Sequence, residues 1–350
     1  MKQITLCITG GHLTPALAVI EEIRRQNLNW NILFIGRNHA FEGRASLTQE
    51  KRLIKAYAIP FHALFTGRQG FSLWKFPIGF FQAFFLLASY RPAAVLSFGG
   101  YIALPVAIAA WTQRIPIITH EQTEGLGLAN SVISRFARRV MFSNNSGVPL
   151  RRALFHPPEK PSFPIDAKLP ILYVTGGSTG ASSLNALVYP FIAELTKTYA
   201  VIHQVGSGDK SKMPAAYGRY VVALYFDTED VAWIYAHAAL VIGRAGANTT
   251  AEVAALGVPA LFIPLPWSAG CEQMNNARVL EREGMAVVVK QEELSSGVLI
   301  SQIEKIMEHI GEYKKSAERV AKVYPRDGAE KVVQVLQEVV LRGKTTSYEK

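Results

Sequence analysis

Polar side chains that could carry out acid–base chemistry follow the predicted strands of this chain. His12 comes directly after the glycine turn Gly10-Gly11, and Glu121 comes at the end of a later apolar strand. An imidazole can exchange a proton near neutral pH, so His12 is the first candidate for a general base and Glu121 the second. A histidine in this position could instead cap the next helix or bind phosphate, and the residues alone leave these alternatives open.

A second set of polar residues lies in the stretch 238–277. Its apolar run ends in Gly243-Arg244-Ala245-Gly246-Ala247, and a helix then starts at Asn248-Thr249, where unpaired backbone N–H groups can bind phosphate. Glu252, one turn further on, could hold a ribose diol. The spacing Thr249-x-x-Glu252 also fits a capping box, and the residues alone favour that interpretation. Gln273 lies in a polar loop after the next strand, where open α/β sheets bind ligands.

Alternating strands and helices must position these residues, and this alternation predicts parallel sheets. The turn Thr9-Gly10-Gly11 after the first strand is repeated as Thr175-Gly176-Gly177 after the strand 171–174. Prolines interrupt the chain between Val140 and Pro170, where neither a helix nor a central strand is expected. The sequence therefore predicts an α/β protein with two similar domains.

The segment 71–90 is unusually rich in large apolar side chains, including Trp74, Phe80, Phe81, Phe84 and Phe85. It is too short and too interrupted to span a bilayer. A helix that packs into the core is the commoner outcome for such a segment. Three basic residues flank it, however: Arg68, Lys75 and Arg91. An exposed aromatic patch ringed by basic residues favours the interface of an anionic membrane.

The composition of the 350 residues is that of a globular protein, with 49% hydrophobic and 18% charged residues. The formal net charge of +10 predicts an anionic partner. Zinc-ligand spacing, an RNA-binding signature and a basic helix are missing from the sequence, so nucleic acid is not expected as that partner. Cys7 and Cys271 do not make a disulfide framework. The first residues lack a signal peptide, which predicts a cytoplasmic protein.

Taken together, the glycine turns, the Glu252 helix and the Glu272-Gln273 loop resemble those of the MurG family over nearly the whole chain. The family consists of inverting GT-B glycosyltransferases that move N-acetylglucosamine from UDP-N-acetylglucosamine (UDP-GlcNAc) to membrane-bound lipid I, which forms lipid II for peptidoglycan. The resemblance implies two Rossmann-like domains: 1–150 with a returning C-terminal helix at 325–345 for acceptor and membrane, and 165–324 for UDP-GlcNAc. It also implies the cytoplasmic face of the cell membrane and a role in cell shape and division.

The resemblance assigns roles to individual residues. It implies that the loops Thr9-Gly10-Gly11-His12 and Gly99-Gly100-Tyr101 bind the diphosphate of the acceptor, with Gln122 and Thr123 nearby. Thr9, Gly10 and Gly11 are assigned to the UDP-GlcNAc site as well. Its UDP-GlcNAc contacts are Arg151 near the nucleotide, Ser178, Ala247, Asn248 and Thr249 at the diphosphate, Phe226 at uracil, Glu252 at ribose and Gln273 at the sugar. The resemblance thus overturns the capping interpretation of Glu252.

No cofactor and no metal are expected, because helix N-termini can neutralise the leaving UDP and no Asp-x-Asp motif is present. The stretch Asp227 to Asp230 is expected to cap a helix instead. The chain departs from the family pattern at Cys7-Ile8, Thr123, Thr179 and Val148. Two alternatives to lipid I transfer stay open: a related enzyme with another acceptor or 2-epimerase activity, and a non-catalytic nucleotide-sugar-binding membrane scaffold.

Overall fold

The computed structural model describes residues 3–37, 49–66, 74–123, 125–166, 168–177, 180–206, 215–268, 271–294 and 296–345. Backbone contacts divide the chain into two compact units. The first unit comprises Met1–Arg151 and Arg326–Lys350, and the second comprises Arg152–Pro325.

The described part of the first unit contains a parallel six-stranded sheet in the order β3-β2-β1-β4-β5-β6. Its strands are β1 (Ile4–Thr9), β2 (Trp30–Gly36), β3 (Phe61–Ala63), β4 (Ala94–Ser97), β5 (Ile117–Glu121) and β6 (Arg139–Phe142). Its helices include α1 (Leu13–Arg25), α2 (Gln49–Ala56), α3 (Lys75–Tyr90), α4 (Ala103–Thr112), α5 (Leu128–Ile133) and α6 (Ser143–Ser146). The central strands are apolar on both faces because helices cover both sides of the sheet.

The described part of the second unit repeats this topology, with the strand order β12-β11-β10-β7-β8-β9. Its strands are β7 (Ile171–Thr175), β8 (Ala200–Gln204), β9 (Tyr220–Ala223), β10 (Ala238–Gly243), β11 (Ala260–Phe262) and β12 (Ala286–Val288). Its helices include α7 (Ser182–Val188), α8 (Ile192–Thr198), α9 (Thr228–His237), α10 (Ala247–Leu256), α11 (Glu272–Arg282), α12 (Ser296–Glu308) and α13 (Ile310–Val323). Both sheets have the doubly wound Rossmann order, which confirms the predicted fold class.

The last helix, α14 (Gly328–Thr345), packs against α1 and belongs to the first unit. Its apolar stripe joins the core beneath β1 and β4: Ala329, Val332, Val333, Leu336, Val339 and Val340. A Cβ at Gly328 would lie 2.9 Å from the carbonyl oxygens of Gly147 and Val148, so the helix begins where only glycine fits. The expected return of the C-terminal helix is confirmed.

Local expectations about helix and strand ends can now be compared with the structure. Helix α1 begins at Leu13, so His12 takes its N-cap position, but the His12 side chain makes no described capping bond. Glu121 is the last residue of β5, as the sequence predicts. The expected cap at Asp227 is confirmed, because its carboxylate accepts the N–H of Asp230 at 2.9 Å.

Helix α3 combines the two outcomes considered for the aromatic segment. Ala83 and Leu87 are buried, and Phe80 and Phe84 pack partly against the same core. On the opposite side, Trp74, Phe81 and Phe85 are 62%, 56% and 68% exposed, and Trp111 of α4 is exposed as well. Lys75 lies over the Trp74 ring, whereas Arg68 falls outside the described residues. Among the described helices, none is both long and apolar enough to cross a membrane.

Candidate functional site

The glycine turns of the first unit meet at the switch point of its sheet. One turn follows β1 and the other follows β4, the two neighbouring strands from which the chain winds in opposite directions. Gly11 has φ of +125°, and a Cβ there would lie 2.8 Å from the Gly99 carbonyl oxygen. Gly99 and Gly100 also have positive φ, so both loops depend on glycine. In doubly wound sheets, ligands bind outside the carboxyl ends of the strands at this point.

His12 lies between the two turns, and one of its ring nitrogens has a fixed partner. Nδ1 is 2.8 Å from the backbone carbonyl oxygen of Phe98. A carbonyl can only accept a hydrogen bond, so Nδ1 carries the hydrogen and, in the neutral ring, Nε2 holds the lone pair. The geometry therefore gives His12 a basic nitrogen whose tautomer is set by the end of β4.

Glu50 of α2 lies against the first glycine turn and was missed by sequence reasoning. This glutamate is only 7% exposed, and its carboxylate accepts the N–H groups of Gly11 and Arg37, each at 3.1 Å. A Cβ at Gly10 or Gly36 would lie 2.4 or 2.6 Å from a carboxylate oxygen. The close approach of this carboxylate explains why glycine occupies both positions. No spacing in the sequence signals it.

Glu121 is surrounded by hydrogen-bond donors. One carboxylate oxygen accepts bonds from the backbone and hydroxyl of Thr123, and the other accepts bonds from the Gly127 N–H at 2.9 Å and the Asn130 amide at 3.0 Å. Burial alone would raise the pKa of Glu121, but these donors outweigh it and hold the pKa below its usual range. A carboxylate stabilised in this way is a weak base, and its contacts hold the loop after β5.

The neighbours of Glu121 on β5 and in the loop are buried too. His120 donates from Nε2 to the Gly147 carbonyl oxygen at 3.0 Å, and burial lowers its pKa to about 4, so it is neutral. The side-chain amide of Gln122 is buried, and neither its nitrogen nor its oxygen has a partner among the described residues. Buried polar atoms of this kind need an explanation, and a bound ligand is one.

The second unit has the equivalent pair of turns, after β7 and β10. A Cβ at Gly177 would lie 3.3 Å from the Thr249 hydroxyl, which brings the two turns together. Gly246 is the N-cap of α10, so the backbone N–H groups at the start of that helix face the switch point. The Asn248 side-chain oxygen is buried without a described partner. Ser178 lies outside the described residues.

Arg244, in the turn after β10, is a buried cation whose role was not predicted. It is 4% exposed and donates to the Ile263 carbonyl, the Ser183 hydroxyl and the Gln291 side-chain oxygen at 2.6 to 2.7 Å. Burial lowers the pKa of this guanidinium to about 10. Within the described part of the chain, its hydrogen bonds go to neutral groups, so the guanidinium adds positive charge beside the turns.

Glu252 is held by a tyrosine and not by a capping box. The Tyr235 hydroxyl of α9 donates to the Glu252 carboxylate at 2.8 Å, and the tyrosine is almost fully buried. Because α10 begins at Ala247 after Gly246, Thr249 lies inside the helix and cannot be its N-cap. The capping interpretation of Glu252 is therefore wrong, and Tyr235 was missed.

Phe226 and Gln273 each take part in a hydrogen bond near these turns. The Phe226 N–H donates to the Gln204 side-chain oxygen at 3.2 Å. The side-chain oxygen of Gln273, in the first turn of α11, accepts the Leu265 N–H at 3.0 Å, and this bond links the start of α11 to the segment that follows β11.

Arg151 makes hydrogen bonds within the first unit. Its guanidinium donates to the Glu21 carboxylate at 2.6 and 2.9 Å and to the Tyr57 hydroxyl at 2.8 Å, all within the first unit. These bonds use Nε and Nη2, which form one edge of the guanidinium. Arg151 thus links α1 to the end of the first unit, and its contact to the nucleotide stays a prediction.

Comparison with known proteins agrees with this architecture. Residues 4–142 match the glycosyltransferase family 28 N-terminal domain, and residues 171–332 match the family 28 C-terminal domain. A Cupriavidus pinatubonensis protein is 36% identical, covering 86% of this chain and 89% of its own length. Its name is UDP-N-acetylglucosamine–N-acetylmuramyl-(pentapeptide) pyrophosphoryl-undecaprenol N-acetylglucosamine transferase. The chain belongs to the MurG family.

Further comparisons agree with this membership. A Legionella pneumophila protein with the same name is 31% identical over 85% of this chain and 86% of its own length. The crystal structure of MurG from Acinetobacter baumannii is 27% identical, with a TM-score of 0.69, and the match covers 96% of this chain and 99% of that one. The resemblance drawn from the motifs is confirmed, as are the GT-B fold and the glycosyltransferase class of this MurG-family chain.

Proposed function

We propose that this protein transfers N-acetylglucosamine from UDP-GlcNAc to lipid I, with inversion at the sugar, and so forms lipid II for peptidoglycan. The observation that carries the proposal is the match to MurG-family transferases through both domains. The first unit would bind the lipid-linked acceptor, and the second would bind UDP-GlcNAc. These assignments correspond to domains 1–150 with 325–345 and 165–324.

In the second unit, the donor would lie at the turns after β7 and β10. The start of α10, at Ala247, Asn248 and Thr249, would meet the diphosphate with backbone N–H groups. Glu252 would accept bonds from the ribose hydroxyls, with Tyr235 fixing the orientation of its carboxylate. Buried Arg244 would add positive charge as UDP leaves. Phe226 and Gln273 would contact uracil and the sugar.

In the first unit, His12 would be the general base. Its Nε2 would take the proton of the acceptor hydroxyl as that oxygen bonds to the anomeric carbon, while the bond to UDP breaks and UDP leaves with the electron pair. The tautomer set by Phe98 supports this role, since the lone pair is on the outer nitrogen. Glu121 would shape the acceptor loop with Gln122 and Thr123 and would not take the proton.

The exposed side of α3 would hold the protein on the cytoplasmic face of the membrane. Trp74, Phe81 and Phe85 offer apolar area, and Lys75 beside them offers charge for anionic headgroups. The net charge of +10 favours the same surface. This location fits an acceptor that is itself anchored in lipid, and a contribution to cell shape and division would follow from lipid II supply.

The direct test incubates the purified protein with radiolabelled UDP-GlcNAc and a lipid I analogue and separates the products. Incorporation of label into the lipid, with release of UDP, is the expected result. Epimerisation of UDP-GlcNAc without an acceptor would indicate a 2-epimerase instead. Binding of UDP-GlcNAc without turnover on any lipid would indicate a scaffold.

A further inference from the structure

Two leucines in the segment after β5 expose their side chains to solvent. Leu128, the first residue of α5, is 85% exposed, and Leu126 is 38% exposed. Single exposed apolar side chains are normal on protein surfaces, so exposure alone does not indicate a ligand. The backbone that carries these leucines and the place where it lies provide the further observations.

The backbone on both sides of Leu128 is fixed by Glu121. The carboxylate accepts the Gly127 N–H at 2.9 Å, one residue before Leu128, and the Asn130 side-chain amide at 3.0 Å, two residues after it. The exposure of Leu128 is therefore a property of a held segment and not of a frayed end. The buried side-chain amide of Gln122, in the same loop, lacks a partner among the described residues, which indicates a ligand close by.

This segment lies beside the second glycine turn of the first unit. A Cβ at Gly99 would lie 2.8 Å from the side-chain nitrogen of Asn130, so the start of α5 adjoins the Gly99-Gly100 turn. The proposed function places the diphosphate of the acceptor at this turn. The lipid chain of such an acceptor is bonded directly to the diphosphate, so its first isoprene units must pass the surface next to the turn. Leu126 and Leu128 supply apolar area there.

The leucines also lie on the side of the sheet that carries the exposed aromatic residues of α3. Helices α3, α4 and α5 share one core, and α4 packs against both of the others. The Trp74 ring, at the start of α3, lies 6.3 Å from the ring of Phe65, which follows β3. Trp74 and Leu128 are thus both found near the carboxyl ends of the strands, where the Gly99 turn lies. A lipid chain that leaves the turn on this side stays on the side proposed to face the membrane.

We infer that Leu126 and Leu128 bind the first isoprene units of the acceptor and make the enzyme selective for an acceptor with a prenyl chain. The inference rests on the proposed function for the identity of the acceptor. Leucine side chains provide apolar contact without a hydrogen bond or a charge, which suits a hydrocarbon chain and not the sugar, peptide or diphosphate of the acceptor.

The experiment compares two lipid I analogues that share the sugar, the peptide and the diphosphate. One carries a farnesyl chain and the other a methyl group, and both are used in solution without vesicles. Leu128→Ser should raise the KM for the farnesyl acceptor about tenfold, the contribution of one largely buried leucine, and leave the KM for the methyl acceptor unchanged. The kcat with either acceptor should stay the same, because the contact is equal in the ground state and the transition state.

Two further variants serve as controls. Leu128→Met keeps most of the apolar area and should keep the wild-type preference for the farnesyl acceptor. Val323→Ser is the matched control, because Val323 is 80% exposed but lies at the end of α13 in the second unit. It should leave the KM for both acceptors unchanged.

A binding measurement provides a readout that does not depend on turnover. In protein labelled at its leucine methyl groups, farnesyl diphosphate should shift the NMR signals of Leu126 and Leu128, which Leu126→Met and Leu128→Met assign. The Kd for farnesyl diphosphate should rise about tenfold in Leu128→Ser. Inorganic diphosphate should bind the wild type and this variant equally.

Several results would overturn the inference. Equal effects of Leu128→Ser on the two acceptors, or no effect on either, would show that the leucine does not read the chain. Loss of sedimentation with anionic vesicles at an unchanged preference for the farnesyl acceptor would make the leucines contacts to the bilayer instead. A wild type that transfers no sugar, yet binds farnesyl diphosphate through Leu128, would remove the proposed function and leave the prenyl site in place.

Discussion

The substitution His12→Asn separates two roles that His12→Ala would remove together. The Asn amide nitrogen takes the place of Nδ1 and can donate to the Phe98 carbonyl, which His12 contacts at 2.8 Å. It offers no basic nitrogen in the place of Nε2. If His12 is the general base, kcat of His12→Asn should fall by about 10²- to 10⁴-fold, the usual contribution of a positioned base.

The stability change has its own magnitude. Loss of the bond to Phe98 in His12→Ala should cost about 1 kcal/mol, or roughly 2–4 °C in Tm for a unit of this size. His12→Asn should keep the wild-type Tm because the bond is retained. The assays are thermal unfolding and sugar transfer to a lipid I analogue across pH, and UDP affinity should be the same in all three proteins.

The decisive comparison is between the two variants. Equal losses of kcat in His12→Ala and His12→Asn, with the acid limb of the pH profile absent from both, would support His12 as the general base. A His12→Asn enzyme within about tenfold of the wild-type kcat would refute the reasoning, because the hydrogen bond to Phe98 would then be what catalysis needs.

Three further outcomes are expected. Phe81→Glu combined with Phe85→Glu should abolish sedimentation with anionic vesicles and leave the KM for UDP-GlcNAc unchanged, whereas unfolding would mean that the exposed side of α3 is core. Tyr235→Phe should raise the KM for UDP-GlcNAc about 5- to 10-fold at constant kcat. In the double variant with Glu252→Ala it should raise this KM little further, because both substitutions remove the same interaction; additive effects on KM would contradict this. Arg151→Gln should lower the unfolding free energy by about 1–2 kcal/mol without changing the KM for UDP-GlcNAc. A tenfold rise in this KM would instead indicate that Arg151 contacts the nucleotide.

The fold could be predicted because its signals are local. Apolar runs followed by glycine turns and amphipathic helices recur in both halves, and each feature depends only on nearby residues. The apolar residues of the last helix likewise recur at helical spacing, which predicts a buried face. The exact ends of elements, such as the start of α1 at Leu13, are decided by hydrogen bonds that a pattern does not specify.

The parts of the site that escaped prediction depend on contacts between distant segments. Tyr235 reaches Glu252 from a neighbouring helix, and Glu50 reaches Gly11 from 39 positions away in the sequence. Arg151 has the residue type of a phosphate contact, but its guanidinium meets Glu21, 130 positions away. Spacing cannot reveal these partners, because the three-dimensional fold alone brings them together.

The return of α14 to the first unit has a consequence for synthesis on the ribosome. The core beneath β1 and β4 includes side chains from Ala329 to Val340, so the first unit is not complete until the end of the chain emerges. At about 5–20 residues per second, the intervening segment Arg152–Pro325 takes roughly 10–35 s to translate. During that interval the apolar face of α1 is not covered by α14, so the nascent chain can aggregate or bind chaperones at this face. The second unit can already fold in the same interval.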